Sequence, residues 1–387
     1  MPVVDQTSTS MREATSAKIY SARAMAIGVS QPLCPPATAG PNVASCHILQ
    51  RMDITPNPST TLTAAGIAGF HPSDLLAAYG LSGSISRGGD QTVAVVVDGD
   101  NPTLQLDLGV YRAAFGLPPC TVLNGCLRFV YHGLLKPQLN AAWAAEADLD
   151  VQMVSAICPK CKIVVAEAPN ATIASLSAAV GAAVAAGATV VSNSYSIPEN
   201  ASDRAYEAAY DVPGIPMTAG AGDNGYGSGS AISFPAASRY VTAVGGTTLD
   251  MTGGTYRGEA VWGDTGSGCS RVFAKPKWQT DAGCPMRTIN DLAVVGDPNT
   301  GVAAFVTLLG GWNVFGGTSV GAPVVASMYA LAGNGTTAGG ASLYAHASSF
   351  REIGGSSASC FPSYLCTAIR GYNGPAGLGT PDGLAAF

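Results

Sequence analysis

The chain has 387 residues, of which 48 are glycine and 11% are charged, with a formal net charge of −6. Hydrophobic residues make up 47%, which is enough for a large buried core and too much for a disordered chain. With 19 Lys and Arg against 25 Asp and Glu, there is no basic surface to neutralise a phosphate backbone, which argues against a nucleic-acid partner. No run approaches the ~18 apolar residues of a membrane span. Few cations also limit the self-repulsion that unfolds proteins in acid, although an Ala- and Gly-rich composition accounts for the low charge equally well.

In chain order, residues 1–65 are rich in Ser, Thr, Pro and Ala without sustained periodicity. They read as a leader or short pro-segment, largely irregular, and the apolar run at 24–29 is too short for a secretory signal. A folded body spanning 66–387 begins near Phe70, and Pro72-Ser73-Asp74 opens a helix reaching about Tyr79. The apolar run 92–98 is a strand buried on both faces. Helices follow at 104–115 and 141–157, a strand at 162–166, a helix at 173–186 and a strand at 189–194. A helix at 203–210 precedes strands at 215–221 and 241–244, and a further helix covers 320–332. Such alternation predicts one α/β domain with a mainly parallel central sheet and helices on both faces. Chemistry is then expected at the carboxyl ends of the strands.

Ten cysteines fall in close couples: Cys34 and Cys46, Cys120 and Cys126, Cys158 and Cys161, Cys269 and Cys284, Cys360 and Cys366. Paired by proximity, they suggest disulfides formed in an oxidising compartment. Zinc competes as a reading, but Cys-x-x-Cys occurs once and no His stands at ligand spacing around it. Cys158-Pro159-Lys160-Cys161 follows a helix instead of opening one, which favours a structural bond over a redox pair.

The strongest local signal is Gly316-Gly317-Thr318-Ser319-Val320-Gly321-Ala322-Pro323 ahead of an apolar helix. Small residues allow a sharp turn and close approach of a substrate to Ser319, and the helix N-terminus favours negative charge there. A serine cap after a glycine loop is the plain alternative. A nucleophilic serine needs a base, and none of His47, His71, His132 and His346 stands in a His-Gly-Thr-His type of segment. A Ser-His-Asp triad is therefore not expected. Glu146 and Asp150 are one helical turn apart on one face, among Ala142, Ala145, Leu149, Met153 and Val154. Two such carboxyls share a proton and titrate together, which suits a base working in acid, although a bare Glu-x-x-x-Asp is more often a solvated face. Asp223, in Ala221-Gly222-Asp223-Asn224-Gly225, is either a turn former or a donor to an oxyanion.

Together these segments resemble the sedolisin family of serine-carboxyl peptidases over roughly residues 66–387. Phe234-Pro235-Ala236-Ala237-Ser238, the run 241–247 and Gly377-Leu378-Gly379-Thr380-Pro381 are similar too, and the cysteine-rich pattern looks like the bacterial branch. The resemblance implies a subtilisin-like fold and an acyl-enzyme mechanism. Ser319 would be the nucleophile, Glu146 the base, Asp150 its partner and Asp223 the oxyanion donor. Substrate would lie along Ser192, Asn193, Ser194 and Tyr195 as an added strand.

The family's calcium positions correspond here to Glu352, Ile353, Ile369, Gly371 and Asn373. At most one carboxylate remains, and Arg351 and Arg370 stand nearby. Calcium affinity depends on ligand charge, so weak binding or none is expected, with a hydrogen-bonded loop in its place. No other cofactor is expected. Ser196 stands where a glycine commonly follows the substrate strand and is expected to narrow a subsite. About 65 irregular residues cannot supply the large pro-domain usual in the family. The expectation is a secreted, monomeric endopeptidase acting on proteins or peptides in acid, with no nucleic acid or membrane partner. A non-catalytic binding relative and a neutral-pH subtilisin-like enzyme are the competing readings. Asn170, Asn200 and Asn334 begin glycosylation motifs.

Overall fold

The computed structural model describes residues 28–34, 42–133, 135–226, 232–333 and 340–387. Most of the expected leader and Asn334 lie outside the described residues.

Three short strands come first: β1 (Ser30–Pro32), β2 (Ser45–Cys46) and β3 (Leu49–Arg51). Helix α1 (Pro72–Ala78) opens with His71 and Asp74 forming a capping box. Next come β4 (Thr92–Asp98), α2 (Leu104–Ala114), β5 (Leu127–Tyr131), α3 (Ala141–Ile157), β6 (Lys162–Ala168) and α4 (Ile173–Ala185). Strands β7 (Val190–Asn193), β8 (Tyr195–Pro198), β9 (Met217–Gly220) and β10 (Ser233–Phe234) follow. The long β11 (Val241–Thr252) then turns into β12 (Thr255–Val261). The chain continues through β13 (Gly268–Ala274), β14 (Met286–Ile289), β15 (Leu292–Val295), β16 (Val302–Val306) and β17 (Gly311–Gly316) into α5 (Thr318–Ala332).

The central sheet has the order β12-β11-β9-β7-β4-β6-β5, with β15 also paired to β11. All its pairings are parallel except β11 with β12. Val93 through Asp98 are buried without alternation, because both faces of a parallel sheet are covered. Helices α3 and α5 pack on each other and on the sheet, and α4 packs on β6 and β4. From Trp143 to Ile157 every residue of α3 is buried, polar ones included. A helix enclosed all round must satisfy or neutralise its polar groups. Gln152 does so by pairing with the backbone of Phe305 in both directions, at 2.7 and 2.8 Å.

The α/β fold with its mainly parallel sheet is as expected, and several elements coincide with their predicted spans. The helix expected at 203–210 is instead two 3₁₀ stretches, Ala201–Ala205 and Glu207–Tyr210. So short a segment cannot propagate α-helical hydrogen bonding, and the Asp203 carboxylate is spent on the Asn200 amide at 2.7 Å. The described part of residues 28–65 carries strands built into the body. Leu49 and Gln50 of β3 pair with Gly316 and Phe315 of β17, and β1 pairs with β3. All five cysteine couples are bonded as proximity suggested. Among the described residues, no helix is long and apolar enough to cross a membrane.

Candidate active site

Ser319 sits in the first turn of α5, directly after β17 and a tight turn at Gly317. Gly317 has φ of +101°, and a Cβ there would fall on the His47 carbonyl oxygen and lie 2.7 Å from Asp223 Oδ2. Only glycine fits both the conformation and the approach. The helix start leaves amide donors facing the cleft, one of which, from Ser319, reaches the His47 carbonyl at 3.3 Å.

The packing of α3 on α5 brings Glu146 and Asp150 beneath this turn, each 0% exposed. Burial first, then the charge of Asp150, pushes the Glu146 carboxyl well above its ordinary range, against the opposing influence of the Ser319 hydroxyl. Burial likewise raises Asp150, although Ser194 Oγ donates to its Oδ1 at 2.7 Å. Among the described residues, neither Glu146 oxygen nor Asp150 Oδ2 has a hydrogen-bond partner. Two adjacent buried carboxylates that share one hydrogen-bond donor cannot both stay charged. The pair therefore holds at least one proton over a wide pH range.

Asp223 follows β9 and meets the turn at Thr318. Thr318 donates to its Oδ1 from the amide at 2.8 Å and from the hydroxyl at 2.9 Å. Burial raises its pKa to about 7, against the lowering effect of those two bonds. Below that value it is neutral, and Oδ2, which faces Gly317 and the His47 carbonyl, can carry the donor proton.

The four expected substrate-strand residues divide into two groups. Ser192 and Asn193 lie in β7 between β4 and β9, and Asn193 Nδ2 is spent on Thr218 O at 3.0 Å. Both are 0% exposed. Ser194 and Tyr195 stand at the cleft, where Ser194 O accepts Ser319 Oγ–H at 3.3 Å. The Tyr195 hydroxyl bonds back to Asn193 Oδ1 at 2.9 Å and packs beside Tyr210.

Sequence reasoning missed the segment around His47, which crosses the cleft and leaves Ser319 0% exposed. Its amide lies 3.1 Å from Ser319 Oγ. Its ring nitrogens lie 2.7 Å from Ser196 Oγ and 3.3 Å from Thr318 Oγ1, so the imidazole does not serve Ser319 as a base. Nothing in the local sequence marks this placement except the Cys34–Cys46 couple, which closes the segment. A cavity of about 500 Å³ lies beside it, lined among others by Cys46, His47, Ser196 and Asp223.

Four of the five calcium positions, on the segments 352–353 and 369–373, are tied to one another by hydrogen bonds. Asn373 Nδ2 donates to Ile369 O at 3.1 Å and Gly371 O at 3.2 Å, and its Oδ1 accepts from Ala376 N–H. Glu352 accepts from Gly371 N–H at 3.1 Å and lies 4.0 Å from Arg370. An amide donor aimed at the two carbonyls, with one carboxylate in the set, does not fit a divalent cation.

No protein-family model matches the chain. It is similar to kumamolisin of Bacillus sp. (strain MN-32), 35% identical over 215 residues covering 48% of this chain and 38% of that protein. Xanthomonalisin of Xanthomonas sp. (strain T-22) is 26% identical over 349 residues, 73% of this chain and 41% of that protein. Sedolisin of Pseudomonas sp. (strain 101) is 34% identical over 172 residues, 41% of this chain and 28% of that protein. The matches thus span about two fifths or less of each relative's length. Among solved structures, Pseudomonas sedolisin, a serine-carboxyl proteinase complexed with two molecules of pseudo-iodotyrostatin, is similar with a TM-score of 0.71. The identity there is 23%, covering 82% of this chain and 96% of that one. The chain thus resembles these sedolisin-type proteins in sequence over part of their length and shares the fold of Pseudomonas sedolisin.

Proposed function

We propose that the protein is a serine-carboxyl endopeptidase that hydrolyses peptide bonds of proteins in acid. One observation carries this reading: a nucleophile-type serine at a helix start lies over a fully buried Glu146–Asp150 pair, and no imidazole serves it. Ser319 attacks the carbonyl carbon and Glu146 takes its proton, then passes it to the leaving amine. Asp150, fixed by Ser194, orients Glu146 and balances its charge. Neutral Asp223 and the Ser319 amide donate to the oxyanion. Water then hydrolyses the acyl-enzyme. The raised carboxyl pKa values support an acidic working range, since Asp223 loses its donor proton above about 7. Five disulfides support action outside the cell. We take the enzyme to act as a monomer on protein or peptide substrates.

The test is digestion of a denatured protein from acidic to neutral pH beside a Ser319→Ala control. Cleavage confined to acid and absent from the control is expected. Equal cleavage in the control, or none at any pH, would favour the non-catalytic binding relative, and a neutral optimum would count against Glu146 as base.

A further inference from the structure

Helix α3 carries a third acid, Asp148, midway in sequence between Glu146 and Asp150. Two residues along a helix turn the side chain to the other side, so Asp148 points away from Ser319 and toward α2. There it meets Asp107, and both are 0% exposed. The two carboxyls differ in what surrounds them. The Thr307 amide donates to Asp107 Oδ2 at 3.0 Å and the Thr307 hydroxyl donates to Oδ1. The Thr103 hydroxyl is shared between Asp107 Oδ2 at 3.0 Å and Asn101 Oδ1 at 2.9 Å. Asp148 Oδ2 accepts from Asn101 Nδ2 at 2.9 Å. Its Oδ1 has no donor and lies within hydrogen-bond reach of Asp107. A site ringed by donors suits the carboxylate, and an oxygen whose sole neighbour is a carboxylate suits the O–H. The geometry therefore puts the proton on Asp148 and aims it at Asp107.

This contact joins α3 to three other segments: Asn101 after β4, Asp107 in α2 and Thr307 after β16. Asn101 Nδ2 also reaches Ala144 O at 3.0 Å, and Gln152, one turn beyond Asp148, is held by Phe305. Fixed points thus run along one side of α3 while Glu146 and Asp150 occupy the other. The remaining titratable groups on elements packed against α3 are engaged elsewhere. On α2, Arg112 donates to Ser155 Oγ and to the carbonyls of Pro118 and Pro159, and Tyr111 packs beside Phe115. On α1, Asp74 accepts the His71 amide at 3.0 Å, and the His71 ring meets Ile67 O. Asp98 of β4 accepts from Asn140, and Tyr329 of α5 bonds Thr242. On β6, Lys162 is exposed and Glu167 stands with Asp100 and Lys136. None of these brings a positive charge to Asp148. Burial first, then the charge of Asp107, pushes its carboxyl well above the ordinary range, against the opposing bond from Asn101.

We propose that Asp148 is a positioning residue, an un-ionised carboxylic acid whose hydrogen bond to Asp107 latches α3 onto α2 and keeps Glu146 beneath Ser319 in acid only. Its consequence for catalysis rests on the peptidase reading above, whereas the latch itself does not. In acid the Asp148 O–H donates to Asp107, and every polar group of the cluster has a partner. As pH rises, Asp148 gives its proton to water and two carboxylates face each other with no cation between them. Such a pair cannot stay buried. Asp148 must turn out or admit water, and α3 then loses its tie to Asn101 and α2. The sign follows from linkage: an acid that binds its proton more tightly when folded stabilises below its folded pKa and ceases to do so above it. The catalytic helix is thus released at neutral pH by a group that never touches substrate.

The test compares the full chain with Asp148→Asn, Asp148→Ala and Glu259→Gln. Asparagine keeps the acceptor for Asn101 and offers an NH2 to Asp107 at every pH, alanine does neither, and Glu259 is a raised acid in β12 outside the latch. Each change is also made on Ser319→Ala, in which amide hydrogen exchange of 101–108 and 141–157 is followed by mass spectrometry. Corrected for intrinsic rates, exchange in the parent segments is expected to rise at least about tenfold from about pH 5 to about pH 8, and about twofold or less in Asp148→Asn. Asp148→Ala is expected to exchange fast at both, and Glu259→Gln to follow the parent. With Ser319 present, Asp148→Asn is expected to digest a denatured protein in acid within about threefold of the parent and to keep that activity at least about threefold longer through incubation at about pH 8. Flat exchange in the parent, or an asparagine variant that follows the parent in exchange or in lifetime, would overturn the proposal and leave the peptidase reading standing. The expected exchange with no digestion by any variant would keep the latch and remove that reading.

Discussion

Thr318 places two hydrogen bonds on a single oxygen of Asp223, from its amide at 2.8 Å and its hydroxyl at 2.9 Å. Oδ1 is thereby fixed as the acceptor, and Oδ2 remains as the atom facing the His47 carbonyl near Gly317. An asparagine can keep the first role with its oxygen and fill the second with its NH2 at every pH. Asp223→Asn is therefore expected to retain activity within about tenfold in acid. It is also expected to lose less than the parent as pH passes about 7, where Asp223 ionises. Comparative pH–rate profiles check this, and loss of all activity in acid from a folded variant would refute it.

Glu146 is the proton acceptor in this account and Asp150 acts through it. Glu146→Gln is expected to lower kcat by about 10²–10⁴-fold, the usual worth of a general base. Asp150→Asn is expected to cost less and to shift the acidic limb of the profile, because it removes the neighbouring charge that raises Glu146. A purely structural role for Asp150 would lower Tm without moving the limb.

Buried carboxyls also set the pH dependence of stability. Burial raises Glu167 and Glu259 from 4.5 to about 7 and Asp203 from 3.8 to about 6, and Glu146, Asp148 and Asp150 move the same way. Each binds its proton more tightly when folded, so the folded state holds more protons between about pH 4 and about 7. Stability from these groups is complete below that window and falls as pH rises through it. His47, lowered by burial from 6.5 to about 4, opposes this as pH falls, as does Asp53, held down by Arg51. The raised acids outnumber them. Calorimetry of the inactive Ser319→Ala protein is expected to give a higher Tm near pH 5 than near pH 8, and the reverse order would contradict the account.

The loop around Asn373 gives a further check. Asn373→Asp would turn a donor to Ile369 O and Gly371 O into an acceptor beside two acceptors, which costs about 1–3 kcal/mol when buried. The variant is expected to melt lower in chelator and to recover on adding calcium, since a second carboxylate then joins Glu352. A parent Tm that drops on chelation would contradict the reading that its loop is held by hydrogen bonds.

The sheet and its helices were legible because buried parallel strands such as β4 are uninterrupted apolar runs and α3 has a clear length and boundary. Ser319, Glu146, Asp150 and Asp223 were legible as candidates because each stands where a loop or an apolar helix makes its residue type unusual. Ser192 and Asn193 lie within β7, paired between β4 and β9, and sequence does not tell which residues of a strand end are still held inside the sheet. The strands before residue 66 were missed for a physical reason. β2 and β3 are two and three residues long, too short for periodicity, and they are built into the body by pairing with β8 and β17, more than 100 residues away. Long-range pairing of that kind leaves no local signature.

The central claim is that Ser319 is a nucleophile served by Glu146, and it is tested most directly by trapping the acyl-enzyme. The protein is mixed in acid with a peptide ester, quenched and mapped by mass spectrometry. The account expects the acyl mass on the peptide containing Ser319, none after Ser319→Ala, and accumulation slowed about 10²–10⁴-fold by Glu146→Gln. An adduct on another residue, or one that forms equally fast without Glu146, would contradict it.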